Sequence, residues 1–172
     1  MALPHVSVGQ FIEPADWNNL VDAINALADP ARAAVFNNGT QAVADSTWTA
    51  VLFGSESYDT AGMHSTASNT SRLVAPADGT YHVSAQISFA ASNVGARKVR
   101  FLKAGGTVDV GGGVIESACG AGEPTMLSTS MEVQLLANEY VEAYVWQSSG
   151  GSLNMGDTTG ALYCRMQMRR VA

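Results

Sequence analysis

"RLVAPADGTYHVSAQISF", residues 72–89, places a proline, an Asp-Gly pair and a long alternating run within one short stretch. Pro76 has no N–H to give to a sheet and therefore ends the apolar run before it. Asp78-Gly79 then supplies turn chemistry, with the glycine expected to take a backbone conformation that strains other residues. Beyond the turn, Tyr81, Val83, Ala85, Ile87 and Phe89 fall on one side of a strand, and His82, Ser84, Gln86 and Ser88 on the other. One side suits a core and the other suits water.

The same period of two recurs from residue 32 onward. "RAAVFN", "TWTAVLF", "SRLVA", "TYHVSAQISFAA", "RKVRFLKA", "GTVDV", "GVIES", "TMLSTSMEVQLL", "EYVEAYVWQ", "GSLNM" and "ALYCRMQMRRV" read as short strands parted by glycine or Asn/Asp/Ser turns. About ten strands predict an all-β, two-sheet jelly-roll or Greek-key sandwich. With 172 residues, 47% of them hydrophobic, the chain can bury one sizeable core and carry a small appendage.

The appendage is the first thirty-one residues. In "FIEPADWNNLVDAINALADP" the residues Trp17, Leu20, Val21, Ile24 and Leu27 share one face of an α-helix of about 13 residues. Pro14 suits its first turn, Asp16 its positive end, and Pro30 its stop. So short a helix is marginal alone in water, so it must pack on something. It either caps its own domain or docks on a partner or on copies of itself. The expected division is an arm and helix over 1–31 and a sandwich over 32–172.

A formal charge of −6, with nine scattered Lys and Arg residues, argues against a nucleic-acid surface. No apolar run approaches a membrane span, and "MALPHVSVGQF" has neither the basic start nor the apolar core of a secretion signal. The reading is a soluble chain not marked for export. Cys164 alternates with Leu162, Met166 and Met168 and reads as a buried strand thiol; its pairing with Cys119, in a loop-like stretch, stays open.

Residues that carry catalysis do not converge. His5, His64 and His82 lie far apart and lack metal-site spacing. "AGGTVDVGGG" has no helix behind it to hold a phosphate and reads as a flexible hairpin or edge-strand loop. "SSGGS" lacks the spacing of a nucleophile elbow. No enzyme, cofactor or metal is expected, and function is expected to lie in surfaces.

Leu73, Pro76, Gly79 and Tyr81 stand in the order found in the trimeric jelly-roll family of the first complement component's globular heads and tumour necrosis factor, which this stretch resembles. "ARAAVFNN", "VLFGSESYDTAGMH", "RKVRFLKAGG", "MEVQLLANEYVEAYVW" and "ALYCRMQMRR" look like further strands of that family, so the likeness spans residues 32–171. Departures are Ala137-Asn138-Glu139 in place of a Pro-Gly-Asp turn, Val83 where Phe is common, and no collagen-like stalk. Trp48, Phe53, Phe101, Tyr144 and Trp146 exceed what one sandwich core needs, though core burial is the first reading for each. The resemblance implies a homotrimer in which aromatic and aliphatic residues of one sheet face pack around a threefold axis. It also makes Asp59 and Asp157 candidate calcium ligands near a trimer apex.

"EPADWNNLVDAINAL" ahead of such a sandwich resembles tailed-phage virion proteins. That likeness implies a non-enzymatic, trimeric capsid decoration protein on the virion surface, assembled in the host bacterial cytoplasm. Its anchor interface would be Trp17, Leu20, Val21, Ile24 and Leu27, on the major capsid protein or another virion protein. The alternatives are a tail-fibre tip or minor tail protein binding a host receptor or cell-surface glycan, a secreted complement-like ligand, and a glycan hydrolase. Neither nucleic acid nor membrane is an expected partner.

Overall fold

In the computed structural model, which describes residues 13–117, 123–157 and 163–171, β6 (Gly79–Phe89) is bonded along both edges. On one side β9 (Thr125–Leu135) runs antiparallel to it over its full length, from Gly79 opposite Leu135 to Phe89 opposite Thr125. On the other side β12 (Arg165–Arg170) covers Tyr81 to Gln86, and β11 (Leu153–Met155) covers Phe89. The sheet is completed by β1 (Arg32–Phe36) beside β12, β4 (Ser55–Asp59) beside β1, and β2 (Gln41–Val43) beside β11.

A second, five-stranded antiparallel sheet is centred on β10 (Tyr140–Gln147) and β7 (Ala96–Lys103). Its edges are β8 (Val108–Ser117) beside β7, and β3 (Thr49–Ala50) with β5 (Arg72–Val74) in succession along β10. The two antiparallel sheets face one another as a sandwich of twelve strands among the described residues. Strands near in sequence often lie in different sheets, as in a jelly roll.

The alternating stretch behaves as its period requires. Tyr81, Val83, Ala85, Ile87 and Phe89 face inward and meet Phe53, Phe101, Val141, Val145, Met166 and Met168 in one core. Leu73 and Tyr81 are fully buried, and the Tyr81 hydroxyl donates to the carbonyl of Ala77 at 2.7 Å. A buried phenol thereby keeps a polar partner while its ring joins the core. Pro76 is exposed after β5.

Several expectations need correction. Gly79 is absent from the positive-φ positions and is simply the first residue of β6; the neighbouring turns are tied by Asp78, whose Oδ1 accepts from the Ala137 N–H at 2.8 Å. "TWTAVLF" yields only two strand residues, because Val51 and Phe53 bond across to Ala143 and Thr70 outside a regular ladder. "GTVDV" and "GVIES" are one strand, β8, whose glycines sit in a bulged pairing with β7 instead of a loop. There a β-carbon on Gly112 would stand 2.7 Å from the Phe101 ring, so the bulge brings backbone onto an aromatic. β2 and β4 carry too little alternation to be read as strands.

At the end of the sandwich away from the chain's helix, the Gln147 side chain is completely buried. Its Nε2 donates to the carbonyls of Val43 at 3.0 Å and Gly151 at 2.7 Å, and its Oε1 accepts from the Ser149 N–H at 2.6 Å. A saturated amide thus pins β2 and the 148–151 turn to β10. Truncating it strands three backbone groups, so Gln147→Ala is expected to cost about 2–3 kcal/mol of stability, read by denaturant unfolding. A loss under about 0.5 kcal/mol, the size of an ordinary surface change, would show that the turn is held by something else.

Candidate interaction surfaces

α1 (Pro14–Ala28) starts with Pro14 in its first turn, and its first bonds run from the N–H groups of Asp16 and Trp17 to the Glu13 carbonyl at 3.0 and 3.1 Å. It ends at Asp29, which takes the non-helical geometry that Pro30 imposes on the residue before it and whose carboxylate meets Arg32, three residues on, at 3.1 Å. Trp17 is 55% exposed and Ile24 57%, Val21 is exposed and Leu20 half-buried. The Leu27 side chain lies outside the described residues. Trp17, Val21 and Ile24 are therefore bare with Leu20 half-covered beside them, so this part of α1 does not cap the sandwich.

The root of α1 is held firmly. Ala31 packs against the core, and its carbonyl accepts from the Arg170 N–H at 2.9 Å. Arg170 also donates from Nη2 to the Asp78 carbonyl at 2.8 Å, and Val171 N–H to Thr80 at 2.8 Å. The helix root, the end of β12, the start of β6 and the β9–β10 turn thus share one end of the sandwich, its base.

The outward face of the seven-stranded sheet is polar. Register sets its side chains in cross-strand rows: Glu132, His82, Arg169 and Arg32; then Ser130, Ser84, Gln167, Ala34 and Tyr58; then Ser128, Gln86, Arg165 and Phe36. Serines beside longer Gln and Arg side chains leave an open groove of about 570 Å³, lined by Ser84, Gln86, Ser128, Ser130, Arg165 and Gln167. His82 belongs to this face, on the polar side of β6 as its alternation implies.

The outward face of the five-stranded sheet has the opposite character. Arg100 lies over the Trp48 ring at 3.9 Å, Lys98 over Trp146 at 4.0 Å and Arg72 over Tyr140 at 4.1 Å. Each stack contributes about 0.5–2 kcal/mol depending on desolvation. Acids complete the layer: Asp109 meets Arg100 at 3.1 Å, and the buried Glu142 accepts from the Ser71 hydroxyl at 2.6 Å beside Arg72. Gly106, in left-handed backbone, lets the β7–β8 turn close on Tyr144, whose hydroxyl would stand 2.5 Å from an added β-carbon. Burial first, then the nearby Glu142 charge, raises the Tyr144 pKa.

These positions divide the expected aromatic surplus. Phe53 and Phe101 are fully buried core residues, while Trp48, Tyr144 and Trp146 lie half-buried on this outward face among cations. Sequence spacing marks β10 as alternating, yet the seating of Lys98 on Trp146 comes from their cross-strand pairing.

Asp59 is a turn cap. Its Oδ1 accepts from the Ala61 N–H at 3.1 Å and its Oδ2 from the His64 N–H at 2.9 Å. Partial burial acts to raise its pKa, but backbone donors at Met63, Ala61, His64 and Gly62 outweigh it and the pKa is lowered. The His64 ring is fully buried between the Glu56 carboxylate, 2.8 Å from Nδ1, and the Thr70 carbonyl, 3.1 Å from Nε2. Among the described residues no three His, Cys, Asp or Glu side chains converge as a metal site. Cys164 is a free, fully buried thiol whose pKa burial pushes up to about 11, and Cys119 and His5 lie outside the described residues.

A carboxylate with a depressed pKa stabilises the fold above its unfolded value, near 3.9, and loses that contribution as pH falls through the folded value. Thermal unfolding of Asp59→Asn should therefore lie below the parent at neutral pH and converge on it in acid. A difference in melting temperature that stays constant with pH would remove Asp59 from the acid response.

No protein-family model and no curated protein matches the chain. Solved structures do. The globular domain of zebrafish complement 1qA protein superposes with a TM-score of 0.56 at 13% identity, covering 83% of this chain and 98% of that one. The Eiger TNF of S. frugiperda superposes with a TM-score of 0.52, also at 13% identity, covering 84% of this chain and 94% of that one. At such identity the likeness concerns the fold, which is the jelly roll of complement heads and tumour necrosis factors.

Proposed function

We propose that the protein is a non-enzymatic surface protein of a phage particle: a homotrimeric capsid decoration protein held to the virion by its N-terminal arm and α1. The observation that carries this reading is the bare stripe of Trp17, Val21 and Ile24, with Leu20 half-buried beside them, on a helix rooted at the base of a sandwich that is complete without it. An exposed amphipathic helix needs a cover, and Trp is a frequent interface hot-spot residue. The likeness of "EPADWNNLVDAINAL" to virion proteins supplies the setting, and the complement and TNF folds support threefold assembly. The partner is the major capsid protein or another virion protein, and the sandwich projects from it.

A tail-fibre tip or minor tail protein binding a host receptor or glycan is the second reading. It is favoured by the Trp48, Trp146 and Tyr140 layer, because half-exposed aromatics with Arg are the side chains that dominate binding surfaces.

Light scattering of the purified protein should give about three times 17.9 kDa. A monomer at micromolar concentrations would remove the trimer. Changing Trp17 and Leu20 together to Asp should leave the sandwich folded while abolishing incorporation into particles, scored by sedimentation with virions. Normal incorporation would end the anchor reading, whereas unfolding would make α1 part of the core. Trp146→Ala that keeps particle binding but loses adsorption to host cells would favour the second reading.

A further inference from the structure

Residues 17, 20, 24 and 27 follow one another at steps of three, four and three, the spacing of positions a, d, a and d in a heptad. We propose that the stripe of α1 is covered first by the α1 helices of two further copies, forming a short parallel three-helix stalk beneath the trimer. The inference rests on the trimeric reading above and deepens it: the virion would then be gripped by the stalk's outer surface and the arm.

Charge placement supports this cover. α1 has no Lys or Arg, so a random encounter of such helices is repulsive. Yet Asp22 falls at position f, farthest from the seam, and Asp16 at g faces a neighbour's e position, which is Val21. No two acids of neighbouring helices are brought together in that register. Val21 and Ala28 at e widen the stripe past the two-helix seam that Ile at a with Leu at d would favour alone.

The head supplies the rest. Only residues 29–31 separate α1 from β1, and they are fixed by the Asp29–Arg32 pair and by the bond from the Arg170 N–H to the Ala31 carbonyl. A threefold head would bring three such roots out at one base, pointing the same way and at high effective concentration. A helix too short to persist alone then forms as one of three.

The test uses the full chain with Cys119→Ser, leaving the buried Cys164 in place. Leu20→Cys puts a thiol at the seam and Asp22→Cys puts one outside it. A disulfide needs α-carbons within about 7 Å, so mild oxidation should cross-link Leu20→Cys into covalent dimers about tenfold more than Asp22→Cys. The mass of each reduced variant is measured alongside. A trimeric mass with no seam cross-link, or with equal cross-linking of both variants, overturns the stalk and leaves the trimer standing. A monomeric mass overturns the trimer and the stalk with it.

Discussion

Every inward side chain of the seven-stranded sheet depends on the register of β6. That strand is bonded by β9 along its whole length and by β12 and β11 on its other edge, so its pleat fixes the facing of three further strands. A slip of one residue would turn Tyr81, Val83, Ala85, Ile87 and Phe89 to water and bury His82, Ser84 and Gln86 without partners. The Tyr81 hydroxyl on the Ala77 carbonyl locks the register at the turn, where Asp78 and Arg170 also join the base together.

The sandwich so fixed presents two outward faces of unlike chemistry. One is a serine- and glutamine-lined groove that includes Arg165, with Arg32 and Arg169 in a neighbouring row of the same face. The other is a layer of Trp48, Trp146 and Tyr140 under Arg100, Lys98 and Arg72. Most of the nine basic residues are thus spread over two opposite faces, while α1 carries only acids, which is why a chain of net charge −6 has no continuous basic stripe. The cations of the five-stranded face are already engaged, by stacking on rings or by pairing with Asp109, Glu139 or Glu142.

Legibility followed local pattern. β6, β7, β9, β10 and β12 could be read because each alternates for long enough to separate a core side from a water side, and α1 because its period is 3.6 within two prolines. β2, β3 and β4 could not: they are short edge pieces whose pairing comes from neighbours far along the chain. Gly79 departs from what its sequence setting predicts for a related reason. Its turn is held by Asp78 and Tyr81, and left-handed backbone is used instead at Ala104, Gly105 and Gly106, where the β7–β8 turn must close over Tyr144.

The amino-acid sequence alone determined the all-β class, the inward face of each long strand and the apolar stripe of α1, since period and turn chemistry act within a few residues. Only the tertiary structure decided that Trp48, Tyr144 and Trp146 lie outside the core, with Arg100 over Trp48 and Lys98 over Trp146, that His64 is buried between Glu56 and Thr70, and that Trp17, Val21 and Ile24 of α1 are left exposed. Those outcomes depend on contacts between residues distant in the chain, and the register that creates them is a property of paired strands, absent from any one of them.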